Sequence, residues 1–209
     1  MARILITSGP TRQYLDPVRY LTNGSSGRMG KALAEACLAH GHEVVIISGP
    51  VVVEYPDAVE LIPVISTEEL LEAAERLFPN CDGVIAAAAP CDYRPHRVES
   101  QKIAKTGEPI TLHLVETPDV IATLGQNRRD DQWMVGFALE TEDQRFRALT
   151  KLERKSCDFM VLNGPEAMDA AESSVEIIAP NGDVVEALQG SKGEVARGIL
   201  GVIQERLVV

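Results

Sequence analysis

The segment ILITSGPTR (residues 4–12) leads through a polar stretch to TNGSSGRMG (residues 22–30). The apolar, β-branched start of the first segment predicts a buried strand, and the small residues of the second predict the start of a helix. A helix N-terminus leaves N–H groups unpaired and carries partial positive charge, which favours phosphate or carboxylate. The two segments together predict an anion-binding loop.

This loop does not match the common phosphate-binding motifs. It lacks the GxxxxGK[ST] pattern, and its glycines do not fit GxGxxG in a tight strand-to-helix turn. Eighteen residues, 9–26, separate the strand from the helix, whereas such connections usually have about two to six, and long loops are usually functional. Because Arg12, Asp16, Arg19 and Asn23 have little packing value, we favour a functional loop over one that merely covers the end of a sheet.

Composition limits the classes of protein. With 209 residues, 45% of them hydrophobic, the chain is long enough for one domain, residues 1–209, with its own core. The net charge of −11 argues against nucleic-acid binding, and no charged leader or membrane-spanning apolar run is found. The four cysteines are widely spaced without a CxxC pair, which predicts neither a zinc site nor a disulfide framework and fits the cytoplasm.

Strands and helices alternate along most of the chain. This order predicts an α/β fold, a Rossmann-like doubly wound and mainly parallel sheet in three layers. The hairpin signal PNGD (180–183) between two apolar runs adds an antiparallel edge hairpin at the C-terminus. The predicted strands cover 3–8, 43–48, 59–64, 83–87, 133–138, 159–162, 175–178 and 184–188, and the predicted helices cover 27–40, 67–78 capped by Thr67, 141–155, and 191–207 capped by Ser191.

Ligands of such sheets bind beyond the carboxyl ends of the strands, and the loop after the fourth strand has an unusual composition. Ala86, Ala87 and Ala88 would let a flat ligand approach the backbone, although close packing of a helix on the sheet explains them equally well. Asp92 follows them. Its carboxylate could accept hydrogen bonds from a sugar or a base.

Residues 90–107 break the pattern of strands and helices, and we call this segment the flap. Lys102 and Lys105 lie in it, with Gly107 as a hinge, before the alternating run 110–115. Mobile lysines can neutralise a triphosphate during transfer. Solvated lysines without a role are the alternative.

A further cluster follows the strand at 133–138. Phe137 is either a core residue or a surface that packs on a base. Lys151 and Lys155, at i and i+4, share one helix face, where they either bind phosphate or interact with the helix dipole. The histidines show no metal-ligand spacing, so metal ligands are not identified, and no GxSxG or Cys–His signature indicates a hydrolase.

Taken in order, these segments resemble the phosphopantothenoylcysteine synthetase family. The resemblance covers nearly the whole chain. The chain resembles a stand-alone form of the synthetase, without the flavin-dependent decarboxylase half, which implies that it carries no flavin. It is carried by TSGPTR (7–12), DPVRY (16–20), NGSSGRMG (23–30), SGP (48–50), DYRP (92–95) and GFALET (136–141).

The resemblance implies a ligase of coenzyme A biosynthesis. In this family CTP, or ATP, activates the carboxylate of 4′-phosphopantothenate as an acyl-nucleotidyl anhydride and releases pyrophosphate, and the amine of L-cysteine then attacks. Mg²⁺ is expected with the nucleotide. A homodimer is implied by resemblance only.

The resemblance also implies roles for individual residues. Asn23 contacts the acyl intermediate, and Lys102 binds the triphosphate as the lysine of the closing flap. Substrate or nucleotide phosphate is held by Gly9, Thr11, Arg12, Asn23, Gly24, Ser25, Ser26 and Gly27. The nucleotide is bound by Ala86, Ala87, Ala88, Asp92, Lys102, Lys105, Val115, Glu116, Thr117, Pro118, Phe137, Lys151 and Lys155.

Some positions depart from the family pattern, notably Ala104 where the flap often carries a lysine, and Gly164 where an aspartate is common. An NAD(P)-binding reductase or epimerase is the main alternative, but the chain lacks a YxxxK pair and an acidic residue after the second strand. A non-catalytic nucleotide sensor is the third reading. The residues do not distinguish CTP from ATP.

Overall fold

A computed structural model describes residues 1–140, 142–163 and 172–208. The helices are α1 (Arg28–Ala39), α2 (Thr67–Leu77), α3 (Val120–Asn127), α4 (Gln144–Arg154) and α5 (Lys192–Arg206). The strands are β1 (Arg3–Ser8), β2 (Arg12–Tyr14), β3 (Tyr20–Thr22), β4 (Glu43–Ser48), β5 (Glu60–Pro63), β6 (Gly83–Ala86), β7 (Tyr93–Pro95), β8 (Leu114–Glu116), β9 (Trp133–Leu139), β10 (Phe159–Asn163), β11 (Glu172–Ile178) and β12 (Val184–Ser191).

Eight strands form the central sheet in the order β12-β11-β10-β9-β6-β1-β4-β5. The pairs from β10 to β5 are parallel, and β11 and β12 are antiparallel additions at one edge. Strand β1 is central, and Ile4, Leu5 and Ile6 are fully buried, as expected of a strand covered on both faces. The predicted fold class is confirmed.

Each face of the sheet packs against its own set of helices. Helices α1 and α5 cover one face over Ile4 and Ile6, and α2, α3 and α4 cover the other over Leu5. Because successive side chains of a strand point to opposite faces, one continuous apolar run supplies both cores. The three layers leave the carboxyl ends of β1, β6 and β9 at one common edge.

Several local predictions were wrong. The segment 9–26 is not a plain loop, since β2 and β3 pair as an antiparallel hairpin within it. The run 110–115 forms only the short strand β8, which pairs with β7, and α3 was not predicted. Ser66 caps α2, not Thr67, because the Ser66 hydroxyl accepts the Glu69 N–H.

Two predictions lie partly outside the described residues. Thr141, the start of the helix predicted at 141–155 and part of the GFALET motif, and Gly164 are not described, while α4 is described from Gln144. Among the described helices, none is long and apolar enough to cross a membrane. The boundaries of a single domain stay a prediction.

Candidate functional site

Two adjoining cavities lie at the edge where β1, β6 and β9 end. One, of about 410 Å³, contains the start of α1 and is called here the cradle cavity. The other, of about 450 Å³, lies against α3 and α4 and is called the ion-pair cavity. They share Ala88, Asp92, Phe137 and Lys151. Two ligands bound there would meet at these shared residues.

The start of α1 forms one wall of the cradle cavity. Gly27 precedes the helix with φ 76°, and no side chain among the described residues caps it. A Cβ on Gly30 would lie 2.0 Å from Ser8 Oγ, so glycine lets the helix approach the end of β1. The helix N-terminus therefore faces the cavity without a side chain to satisfy its N–H groups, which favours an anion.

Asn23 joins this wall to the loop after β6. Its side-chain amide donates to the carbonyl oxygens of Ala89, at 3.1 Å, and Pro90, at 2.9 Å. The same loop is tied to the end of β1 by a parallel bridge between Pro10 and Ala89. Asn23 is thus held at the boundary between the loops that follow β1 and β6. With Gly24, Ser25, Ser26 and Gly27, it lines the cradle cavity as the sequence predicts.

The alanine segment lies between the core of the sheet and the two cavities. Ala86 is buried in the core on the α2 side, whereas Ala87 and Ala88 are half-buried. Ala86 and Ala88 line the ion-pair cavity, and Ala87 and Ala88 line the cradle cavity. The Ala88 N–H bonds to Thr7 Oγ1 at 3.3 Å, so the backbone of this segment forms the floor between the cavities.

The basic side chains at the end of α4 are already paired with carboxylates. Lys151 Nζ lies 2.6 Å from Glu140 Oε1, and Asp119 contacts both Arg154 Nη2 and Lys155 Nζ at 3.0 Å. Burial would raise the pKa of Asp119, but Lys155, the Ala122 N–H and Arg154 together lower it. A phosphate entering this cavity must compete with these carboxylates.

Asp119 is a site residue that sequence reasoning missed. It caps α3 by accepting the Ala122 N–H at 3.1 Å, and it lines the ion-pair cavity. An Asp after Thr-Pro and before an apolar run is an N-cap signal, so the sequence did contain the clue. Of the predicted nucleotide turn, Glu116, Thr117 and Pro118 line this cavity, whereas Val115 is not among the described lining residues.

Other predicted residues line neither cavity. Gly9 has φ 72° and packs against Gly49 and Val51. The Thr11 hydroxyl is buried, 2.9 Å from Thr67 Oγ1, and accepts the Cys91 N–H. The Arg12 guanidinium lies 4.4 Å from the centre of the Tyr20 ring, a cation–π contact. These three positions support the hairpin and loop that carry Asn23.

The flap lysines are separate from the two cavities within one chain. Lys102 lines a third cavity of about 610 Å³, together with Leu15 and Ile103. Lys105 is exposed. In the described part of the chain, neither lysine is a lining residue of the cradle or ion-pair cavity.

The sequence matches a known family along almost its whole length. The family described as "DNA/pantothenate metabolism flavoprotein C-terminal domain" matches residues 1–207. The chain belongs to this family. This confirms the recognition that the motifs of the anion-binding loop, the alanine segment and the strand end of Phe137 suggested.

Individual relatives agree with this assignment. The coenzyme A biosynthesis bifunctional protein CoaBC of Haemophilus influenzae is 39% identical over 206 residues, which are 97% of this chain and 51% of that protein. The chain spans about half the length of the curated relatives it matches. A crystal structure of the C-terminal domain of CoaBC superposes with a TM-score of 0.82 at 37% identity, covering 98% of this chain and 95% of that one.

A more distant structure shares the fold. It is the H337A mutant of Cab2 in complex with phosphopantothenate-cysteine, with a TM-score of 0.81, 18% identity and coverage of 98% of this chain and 85% of that one. At this identity the likeness shows the fold alone.

Proposed function

We propose that this chain is a phosphopantothenate–cysteine ligase of coenzyme A biosynthesis. The observation that carries the proposal is the pair of adjoining cavities that share Ala88, Asp92, Phe137 and Lys151. A reaction that joins a nucleotide to an acyl substrate needs two binding sites whose reacting ends meet. Membership of the family and the likeness to the coenzyme A biosynthesis protein CoaBC support the choice of substrates.

The proposed reaction has two steps. The carboxylate of 4′-phosphopantothenate attacks the α-phosphorus of CTP or ATP, a P–O bond breaks, and pyrophosphate leaves. The amine of L-cysteine then attacks the acyl carbon, loses a proton and releases the nucleoside monophosphate. Neither step is an oxidation or a reduction, so the proposed reaction requires no flavin.

In this proposal the cradle cavity holds the acyl substrate and the ion-pair cavity holds the nucleotide. Asn23 contacts the acyl group, the N–H groups of α1 bind phosphate, and Phe137 packs against the base. Lys151 and Lys155 bind phosphates after exchange from Glu140 and Asp119. Positioning and charge neutralisation dominate, so the scheme needs no histidine base.

Lys102 lines neither cavity within its own chain, so in this proposal it reaches the nucleotide of another protomer. The proposal includes a homodimer, in which the flap of one protomer approaches the site of its partner, and a cytoplasmic setting. Exposed apolar side chains around the flap fit such a contact. They include Val98, Ile110, Leu112 and Leu114.

The described residues do not offer a site for a resident metal. Among the described residues, no group of three or more His, Cys, Asp or Glu side chains could hold one. We therefore propose Mg²⁺ only as a companion of the triphosphate, whose oxygens bind it. No protein ligand is assigned to it.

The test measures pyrophosphate release by the purified chain. Release is expected only with nucleotide, Mg²⁺ and 4′-phosphopantothenate together, and addition of L-cysteine then gives multiple turnovers. Lys102→Gln is expected to lower the rate by about 100-fold or more, since it removes a charge from the transferring phosphates. Lys31→Gln, which affects only an exposed pair with Glu35, is the matched control.

Two outcomes contradict the proposal. Nucleotide binding without pyrophosphate release under any combination of substrates indicates a sensor. An unchanged rate in Lys102→Gln would show that Lys102 does not take part in the reaction. Parallel titrations with CTP and ATP show which of the two nucleotides the protein prefers.

A further inference from the structure

The residue that follows Lys102 is held by the turn between β2 and β3. The Ile103 N–H donates to Asp16 Oδ2 at 3.1 Å, and the Ile103 carbonyl accepts from Arg19 Nη2 at 2.5 Å. Both backbone groups of one flap residue therefore bind one carboxylate–guanidinium pair. Such a contact fixes the chain direction next to Lys102.

Asp16 is unusually well fixed for this purpose. Its side chain is fully buried, and Oδ1 accepts the N–H groups of Val18 and Arg19, both at 2.8 Å. Oδ2 accepts Arg19 Nε at 2.9 Å. Burial would raise the pKa of Asp16, but the backbone N–H groups of Val18, Ile103 and Arg19 and the Arg19 side chain lower it to about 2. The carboxylate is therefore ionised at neutral pH and accepts four hydrogen bonds, from Val18, Ile103 and Arg19.

A second attachment lies on the other side of Lys102. The Glu99 N–H donates to the Leu15 carbonyl at 2.9 Å. Leu15, Lys102 and Ile103 line the same cavity. The part of the flap that carries Lys102 is thus held to the turn at residues 99 and 103.

We propose that Asp16 is a positioning residue for Lys102, acting through the Ile103 amide. A lysine side chain has a long flexible stem, so the position of its backbone sets the region that the amine can reach. Misplacement of a reacting group by about 1 Å can lower a rate about 100-fold. This inference rests on the proposed function and adds a role for a residue that touches neither cavity.

A double-mutant cycle tests the inference. Asp16→Asn is expected to lower kcat for pyrophosphate release by about 10- to 100-fold, with the KM for L-cysteine unchanged. In the Lys102→Gln background the same change is expected to have no further effect, because the positioned group is gone. Multiplicative losses in the double variant, or a raised KM for cysteine with kcat unchanged, would overturn the inference.

Hydrogen exchange of the flap supplies a readout that does not depend on activity. Asp16→Asn is expected to speed exchange of the Ile103 amide, and Ile103→Pro, which removes that donor and leaves Asp16 in place, to give the same kcat loss. Asp158→Asn is the matched control. Asp158 also pairs with an arginine and accepts a backbone N–H, from Arg128 and Met134, but away from the flap.

The outcomes separate the two proposals. Unchanged exchange at Ile103 in a folded Asp16→Asn protein, or exchange raised equally by Asp158→Asn, overturns the role of Asp16. Faster exchange confined to the Asp16 variant, together with a wild-type protein that releases no pyrophosphate, supports the Asp16–Ile103 contact and rejects the ligase.

Discussion

The start of α1 and the end of α4 approach the same site, yet they offer an anion different partners. The start of α1 offers uncharged backbone N–H groups behind Gly27 and the small residues 24–26. The end of α4 offers Lys151, Arg154 and Lys155, each within 3.0 Å of a carboxylate. One end is open to a ligand, and the other is already neutralised by the protein.

The difference concerns what must rearrange on binding. Backbone dipoles at a helix start keep their direction, so a ligand there meets a preorganised surface. A ligand at α4 gains the attraction of the cations but must displace Asp119 and Glu140, which are left partly desolvated. The number of cations therefore overstates the affinity of the ion-pair cavity.

The largest expected effect concerns the residue beside the α1 cradle. Asn23→Ala removes the amide that lines the cradle cavity and joins the loops after β1 and β6, and turnover is expected to fall by about 100-fold or more, as on loss of one preorganised donor. The affinity for the nucleotide, measured by calorimetry, is expected to stay within about twofold, because Asn23 does not line the ion-pair cavity and is linked to it through the Pro90 carbonyl alone among the described contacts. A nucleotide affinity that falls in parallel with turnover would show that the two ends are not separate.

The two glycines that flank α1 offer a matched pair. Gly27 and Gly41 have nearly equal φ angles, 76° and 77°, but a Cβ on Gly27 would lie 2.9 Å from Val51, whereas on Gly41 it meets nothing within 4 Å. Gly41→Ala is expected to lower the free energy of unfolding by about 1 kcal/mol from backbone strain. Gly27→Ala is expected to cost about 1–2 kcal/mol more from the collision.

Denaturant unfolding measures the free energy of unfolding of both glycine variants. Equal losses of stability would mean that the segment around Val51 moves aside to accommodate the new Cβ without strain. Substrate binding by the folded Gly27→Ala protein then shows whether the cradle depends on this close packing.

A smaller effect, of opposite sign, is expected in the ion-pair cavity. Asp119→Asn keeps an acceptor for the Ala122 N–H but releases Lys155 and Arg154, so the nucleotide is expected to bind a few-fold more tightly, within the range of about 1 kcal/mol for a part-exposed pair. Calorimetric titration with CTP measures it, and Glu176→Gln, which breaks the Arg145 pair outside the site, is the control. Weaker binding would mean that Asp119 itself contacts the nucleotide.

The smallest effect is a pH dependence confined to the charged end. The pKa of Asp119 is lowered in the folded protein from its usual 3.8. As the pH falls, Asp119 is therefore protonated in the unfolded chain before it is protonated in the folded protein. Its contribution to stability is present above pH 3.8 and is lost as the pH falls through the lowered folded value. Between pH 5 and 3, the free energy of unfolding is expected to fall by up to about 1 kcal/mol more in the wild type than in Asp119→Asn. Parallel curves would show that the pair adds no stability.

Local patterns were sufficient where one segment determines its own structure. The buried strand 3–8, the helix beginning after Gly27 and the hairpin at 180–183 follow from periodicity and turn residues within about ten positions. The parallel arrangement of the strands followed from their alternation with helices, whereas their order in the sheet did not. The rule that ligands bind beyond the carboxyl ends of the strands brought the loop 9–26 and the alanine segment to one edge, and the family resemblance singled out Asn23.

The rest depends on contacts that no local pattern records. Asp119 meets Lys155 across 36 residues, and Asp16 meets Ile103 across 87. The hairpin within 9–26 escaped notice because its strands have three residues each and its turn is fixed by a buried carboxylate. Arg12, which reads as a phosphate ligand, instead lies over Tyr20.

The β2–β3 hairpin connects two parts of the molecule that are distant along the chain. Its turn binds the flap through Asp16 and Arg19, and its second strand ends at Thr22, directly before Asn23. Because one hairpin contacts the flap and leads into Asn23, we expect a ligand at Asn23 and a ligand at Lys102 to be thermodynamically linked through it, with each changing the affinity for the other by the same factor.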